Sequence, residues 1–169
     1  LGLAVAVIGG ILAIIFTSNG PSPVTSGQPV NLEISADEWG LGNLDSEVVL
    51  VEFSDFQCPA CASREPQIKD IIAEFNDEIH FVYRHFPLRR NHKNAQISAQ
   101  AAEAAGMQDK FWEMHDVLFA KQTEWAEQSN GDAKDLFVGY AEELGLDTEK
   151  FTEDMDSNEA EEAVNDDYD

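Results

Sequence analysis

Leu1 to Phe16 carries no polar side chain, and Thr17-Ser18-Asn19-Gly20 follows directly. As a helix, sixteen residues would span about 24 Å, short of the roughly 30 Å hydrocarbon core of a bilayer. Residues 1–17 are therefore expected to be a signal or membrane-anchor segment. The chain begins without Met, so a preceding stretch that adds turns and a positive flank is also expected, which favours a single anchor over a cleaved signal. A buried core helix is disfavoured, because the run has no polar face to meet solvent. Residues 18–36, rich in Pro, Gly, Ser and Thr at their start, read as a flexible linker, with Val30, Leu32 and Ile34 alternating weakly enough to suggest only a short edge strand.

Residues 37–169 carry the folded pattern. Trp39 to Asp45 reads as a lead-in loop. Val48 to Phe53 is an apolar run interrupted by Glu52 and closed by Ser54-Asp55, as a buried strand would be. Ile68, Ile71, Ile72 and Phe75 follow at helical spacing and predict one core-facing stripe, ended by Asn76-Asp77. Ile79 to Phe86 returns as a second strand, so the unit is βαβ with parallel strands. Beyond Arg90 the pattern is helical. One segment runs from Lys93 to Ala105 and closes at Gly106, and a second starts at Asp109 with Phe111, Met114, His115 and Leu118 on one face. A third runs from an Asp132 cap to Leu144 before Gly145, and a fourth from Asp147 carries Phe151 and Met155. No internal repeat is present.

The chain holds 33 acidic and 10 basic residues, a net charge of −23. Such a surface repels phosphate backbones, which argues against a nucleic-acid partner. The acid is densest at the end, where nothing after Lys150 is basic.

The two cysteines of the chain, Cys58 and Cys61, sit three apart where the first strong strand gives way to its helix. A thiol at a helix N-terminus meets unpaired backbone N–H groups and the positive end of the helix dipole, which favour thiolate over thiol. Cys58 is accordingly assigned as nucleophile. Cys61, one turn further in, is assigned as the resolving thiol that closes a disulfide with it. Glu52, six residues before Cys58 and flanked by apolar Val51 and Phe53, is a candidate buried base for the proton of Cys61. Thiol-disulfide exchange of this kind requires no cofactor.

These residues, together with Leu41-Gly42-Asn43, Glu52-Phe53-Ser54-Asp55-Phe56-Gln57-Cys58-Pro59-Ala60-Cys61, Arg84-His85-Phe86-Pro87-Leu88, His92, Ala95 and the stretches Ala101 to Gly106 and Lys110 to His115, resemble the DsbA-like thioredoxin-fold oxidoreductases of bacterial and archaeal envelopes. The resemblance implies an α/β fold with a thioredoxin-like βαβ unit, a helical insertion over about residues 92–169 that caps the redox site, and Glu52 in the place of the family's buried acid. Phe56, Pro59 and Ala60 complete the motif, and Pro66 matches the proline that kinks the family's first helix. The family's cis-proline loop and the two strands and helix after it are not visible, Pro87 being the last proline, so the C-terminal strands are expected to be missing from a clipped sequence. Pro59-Ala60 lacks the His that strongly oxidising relatives place before the second Cys, which implies an intermediate potential.

The expected function is thiol-disulfide exchange on cysteine-containing exported proteins, as disulfide donor or isomerase, with a membrane or soluble redox partner and the catalytic domain outside the cytoplasm. The alternatives are a structural disulfide, or a zinc site built from the cysteines and two of His80, His85, His92 and His115. The six residues between His85 and His92 exceed the usual zinc spacing. His85, His92, Arg84, Arg89 and Arg90 form a basic cluster that reads as a solvated loop, and Phe111, Trp112 and Met114 read as core. If the acidic surface is an adaptation to high salt, added salt relieves its self-repulsion. The melting temperature should then rise with salt, and an unchanged melting temperature would exclude it.

Overall fold

The structure, a computed structural model, describes residues 33–35 and 38–168. The anchor expected over residues 1–17 and most of the linker expected over 18–36 lie outside the described residues. Among those described, no helix is long and apolar enough to cross a membrane.

Three strands, β1 (Trp39–Gly42), β2 (Val49–Ser54) and β3 (His80–His85), form a sheet in the order β1-β3-β2. β2 and β3 run parallel, Val49 opposite His80 and Ser54 opposite His85, joined through α1 (Pro59–Glu74) as the apolar pattern predicts. β1 pairs antiparallel with β3, Trp39 opposite Tyr83 and Gly42 opposite His80. The expected lead-in loop is thus a strand over its first four residues. Its two glycines conceal it, because both are chosen by close approach. A Cβ on Gly40 would lie 2.7 Å from the His80 ring, and Gly42 has a φ of +80° with the Ile79 carbonyl 2.5 Å from where its Cβ would be.

Six helices follow: α2 (Ala95–Gly106), α3 (Phe111–Ala120), α4 (Gln122–Trp125), α5 (Asn130–Glu143), α6 (Thr148–Met155) and α7 (Asn158–Tyr168). The short α4 and the terminal α7 were not separated in the apolar pattern. α2 is the hub of this layer, its Ala101, Ala102, Ala104 and Ala105 all fully buried. Side chains this small let α3, α6 and α7 pack closely around it. Phe56, Tyr83, Phe111, Met114, Leu118, Trp125, Phe137, Phe151 and Met155 fill the core between the sheet and the helices.

Two details depart from expectation. α5 is capped by Ser129, whose hydroxyl accepts from the Asp132 amide, so Asp132 sits in the first turn rather than at the cap. The stripe on α1 is only half used: Ile68 and Ile72 pack against the core, but Ile71 and Phe75 remain 40% and 39% exposed. β2 is an edge strand of the sheet, and Phe53 on it is likewise 45% exposed.

Trp39 anchors the sheet to the helical layer. Its ring stacks on Phe111 at 4.2 Å, and its Nε1 donates to Glu103 Oε1 at 2.8 Å. The face of Gly106 lies against the same ring, where an added Cβ would come within 2.4 Å of Cζ2. Pinned on both sides, the indole cannot yield. Gly106→Ala should therefore destabilise the protein by about 1–3 kcal/mol through overpacking, as read by chemical denaturation.

Candidate functional site

The cysteines lie at the β2–α1 junction. Cys58 is the N-cap of α1, extended at φ −73° and ψ 118°, with Pro59 opening the helix. Proline suits this position, because its missing N–H would be unpaired there and its φ is already helical. The Cys58 amide donates to the Asp55 carbonyl at 2.9 Å, and its carbonyl accepts from Ala62 at 3.1 Å. Both cysteines are free thiols and half-buried. No side chain caps α1, so the first-turn amide dipoles are left to act on the Cys58 sulfur. Pro59 and Ala60 are exposed, while Pro66 lies inside α1 and removes one donor from its ladder.

The loop before Cys58 is clamped from the far side of the chain. Asp55, buried, accepts through Oδ1 from the Gln57 amide at 2.8 Å, and through Oδ2 from the Leu88 amide at 2.9 Å, with His92 Nδ1 at 2.7 Å from the same oxygen. Gln57 accepts from the Asn94 amide at 2.6 Å and donates to the Ala126 carbonyl at 2.5 Å. Gln122 Nε2 donates to the carbonyls of Phe56 and Cys58 at 2.7 and 3.1 Å. Phe56 packs between Tyr83, His115 and Phe119. Asp55 and Gln57 stand inside the motif, but Asn94 and Gln122 carry no signal in one sequence; only the tertiary contact reveals them.

Behind the cysteines the residues are polar and buried. Burial pushes the Cys61 thiol up, and the adjoining Cys58 adds to that. Burial likewise raises the Glu52 carboxyl; Ser54 offsets part of this, Glu65 raises it further and His115 opposes. Glu52 and Cys61 line one open groove of about 350 Å³ with Leu50, Arg64, Ile68 and Phe81. The sequence-predicted trio of Cys58, Cys61 and Glu52 is therefore brought to one place.

The histidines are not gathered about the cysteines. His85 is buried against Glu103 at 2.7 Å, His92 is held by Asp55, and His115 lies beside Asp116 at 3.0 Å. The basic cluster is a solvated loop only in part: Arg89 and Arg90 stand exposed on a turn, with Arg89 over the Tyr168 ring, whereas Arg84 on β3 forms a forked pair with Glu38 at 2.7 and 2.9 Å and His85 is buried. Among the described residues Glu65, His115 and Asp116 do form a cluster of metal-type ligands. Lys69 already occupies it, 2.8 Å from Asp116 and 3.5 Å from Glu65, so the cation held there is the protein's own ammonium.

A family profile described as thioredoxin matches residues 35–169. Among solved structures, a thioredoxin-like oxidoreductase from Silicibacter pomeroyi DSS-3 is 27% identical with a TM-score of 0.62, over 78% of this chain and 70% of that one. BdbD from Bacillus subtilis is 25% identical with a TM-score of 0.62, over 77% and 71%. Wolbachia pipientis alpha-DsbA1, at 17% identity, shares the fold with a TM-score of 0.67 over 80% and 68%. Among curated proteins, Na(+)/H(+) antiporter NhaA 1 of Salinispora arenicola is 44% identical over 114 residues, 68% of this chain. The chain spans only 16% of that antiporter's length.

Because burial raises Glu52, the folded state holds its proton more tightly than the unfolded chain does. The group's stabilising contribution is complete below the unfolded carboxylate range and is lost as pH rises through the raised folded value. Glu52→Gln should therefore flatten the decline in stability above that range, as denaturant unfolding measured at stepped pH will show.

Proposed function

The chain belongs to the thioredoxin family, and from that premise we propose that it is a thiol-disulfide oxidoreductase working through Cys58 and Cys61. The observation that carries this reading is the pair itself: two free, half-buried thiols one turn apart, the first capping α1 and the second sharing a groove with Glu52.

In the reducing sense of the exchange, the Cys58 thiolate attacks one sulfur of a target disulfide. A Cys58–target S–S bond forms, the target bond breaks, and its electron pair leaves on the second target sulfur, which takes a proton from solvent. Cys61 then gives its proton to Glu52 and attacks Cys58. The Cys58–Cys61 bond forms, the mixed disulfide breaks, and the first target sulfur leaves with the electron pair. A disulfide donor runs the same steps backwards. Cys61, its thiol raised by burial, reacts faster with a base to take its proton, and Glu52 on the wall of the same groove is the one we assign.

Export supports the donor or isomerase direction. The apolar run Leu1 to Phe16 is the length of a signal or anchor core, and disulfides persist in compartments outside the cytoplasm. The substrates we propose are cysteine-containing exported proteins, the location is the outer side of the cell membrane, and electrons pass to a membrane or soluble redox partner.

A trapping experiment tests the assignment. Cys61→Ser should accumulate covalent adducts with disulfide substrates that reductant releases, and Cys58→Ser should give none. Adducts through Cys61 alone, or none with either variant, would refute it.

A further inference from the structure

The exchange as described leaves several enclosed polar atoms unused. Glu52 Oε2, Glu65 Oε2 and His115 Nε2 are buried without a hydrogen-bond partner, with Ser54 and Tyr83 enclosed beside them. Orphaned groups of this kind are rare singly and call for an explanation when they assemble. Here they converge from β2, α1, β3 and α3. His115 Nδ1 is 4.0 Å from Glu65 Oε1, the rings of His115 and Tyr83 are 5.0 Å apart, and Glu52 feels both Glu65 and His115.

Two hollows border the group. One is the groove holding Cys61 and Glu52; the other is a more enclosed cavity of about 100 Å³ lined by Glu65, Lys69, His115 and Asp116. Ile68 and Phe81 wall both. The inner cavity is otherwise lined by Leu41, Ile72 and Trp112, so the polar path is the contact between Glu65, His115 and Asp116 themselves. At its outer end Asp116 is half exposed, 3.0 Å from His115 Nδ1 and 2.8 Å from Lys69 Nζ. Burial pushes the Asp116 carboxyl up, but His115 and Lys69 hold it below its ordinary range, so it faces solvent as an anion.

We propose that Glu65 and His115 carry protons between Glu52 and solvent at Asp116, so that Cys61 exchanges its proton through the interior while a substrate occupies Cys58. The inference rests on the redox reading above. During resolution Cys61 releases its proton to Glu52 and its electron pair forms the bond to Cys58. The mixed disulfide breaks, the departing substrate sulfur takes the other pair and one proton from solvent, and Glu52 returns one proton to solvent by way of Glu65, His115 and Asp116. Glu65 Oε1 and Asp116 Oδ1 both face the same ring nitrogen, Nδ1, at 4.0 and 3.0 Å, so the imidazole can take a proton from one and pass it to the other there, while Nε2 is enclosed. Phe56, Tyr83, Trp112 and Phe119 box the ring and hold its orientation. The charged or titratable groups around the path are Glu52 on β2, Cys61, Arg64, Glu65 and Lys69 on α1, Tyr83 on β3, and Asp116 on α3. Glu65 and His115 act through Glu52 and are positioning residues rather than catalytic ones.

The test uses the full chain with a glutathione mixed disulfide on Cys58, following the rate at which Cys61 resolves it. His115→Ala and Glu65→Gln should each slow resolution about tenfold, less than a directly acting acid–base group would cost. The pH profile of resolution should change shape in His115→Ala, and added imidazole should restore its rate. Combined with Glu52→Gln, neither substitution should slow the reaction further. Wild-type rates and pH profiles in both variants would overturn the relay, as would losses that imidazole does not rescue and that merely follow a lowered melting temperature. Failure of the wild-type chain to form the mixed disulfide at all would instead strike the redox reading itself.

Discussion

The structure depends on how the end of β2 is passed to the first turn of α1. A helix N-terminus has amide groups to spare and a strand end has a carbonyl row to finish, so the segment between them is short of internal partners. Here Asp55 folds the loop on itself, while Gln57, Asn94 and Gln122 supply the hydrogen bonds it lacks from elements that lie far along the chain. Cys58 is held with its backbone satisfied on one side and its sulfur left to the amide dipoles of α1. The helical layer is thus part of the redox site even though none of its residues is a thiol.

A second constraint is the handling of buried acid. Most of the negative charge lies on the surface, where water and ions screen it. Apart from Asp55 in the loop clamp, the exceptions are placed in two groups. Glu103 and Asp167 secure the end of β3, the first against His85 and Trp39 and the second by accepting the His85 amide at 2.7 Å. Glu52 and Glu65 lie behind Cys61 and are far less fully paired. The first group closes the joint between α7, α2 and the sheet. The second stays polar and incompletely bonded, which suits proton movement better than stability.

The match to a sixth of a long antiporter, and to most of several oxidoreductases, fits a compact module that occurs in different settings. What is common to those settings is the sheet, the helical layer and the junction between them.

The βαβ unit, the helical character after Arg90 and the site trio of Cys58, Cys61 and Glu52 were legible in one dimension, because apolar period and the strand-to-helix transition are local properties. β1 was not legible: its side chains carry no alternation, and its existence rests on backbone pairing to β3. The basic cluster divides: Arg89 and Arg90 lie on the exposed turn that their polarity predicts, whereas Arg84 meets Glu38 across 46 residues, a pairing no local pattern shows. Sequence alone determined where the reactive sulfurs sit and which acid lies behind them, since both follow from positions a few residues apart. Only the tertiary structure decided what clamps the loop and what lines the interior beneath it, since Asn94, Gln122, Glu65 and His115 reach that place through packing between elements, which no local pattern encodes.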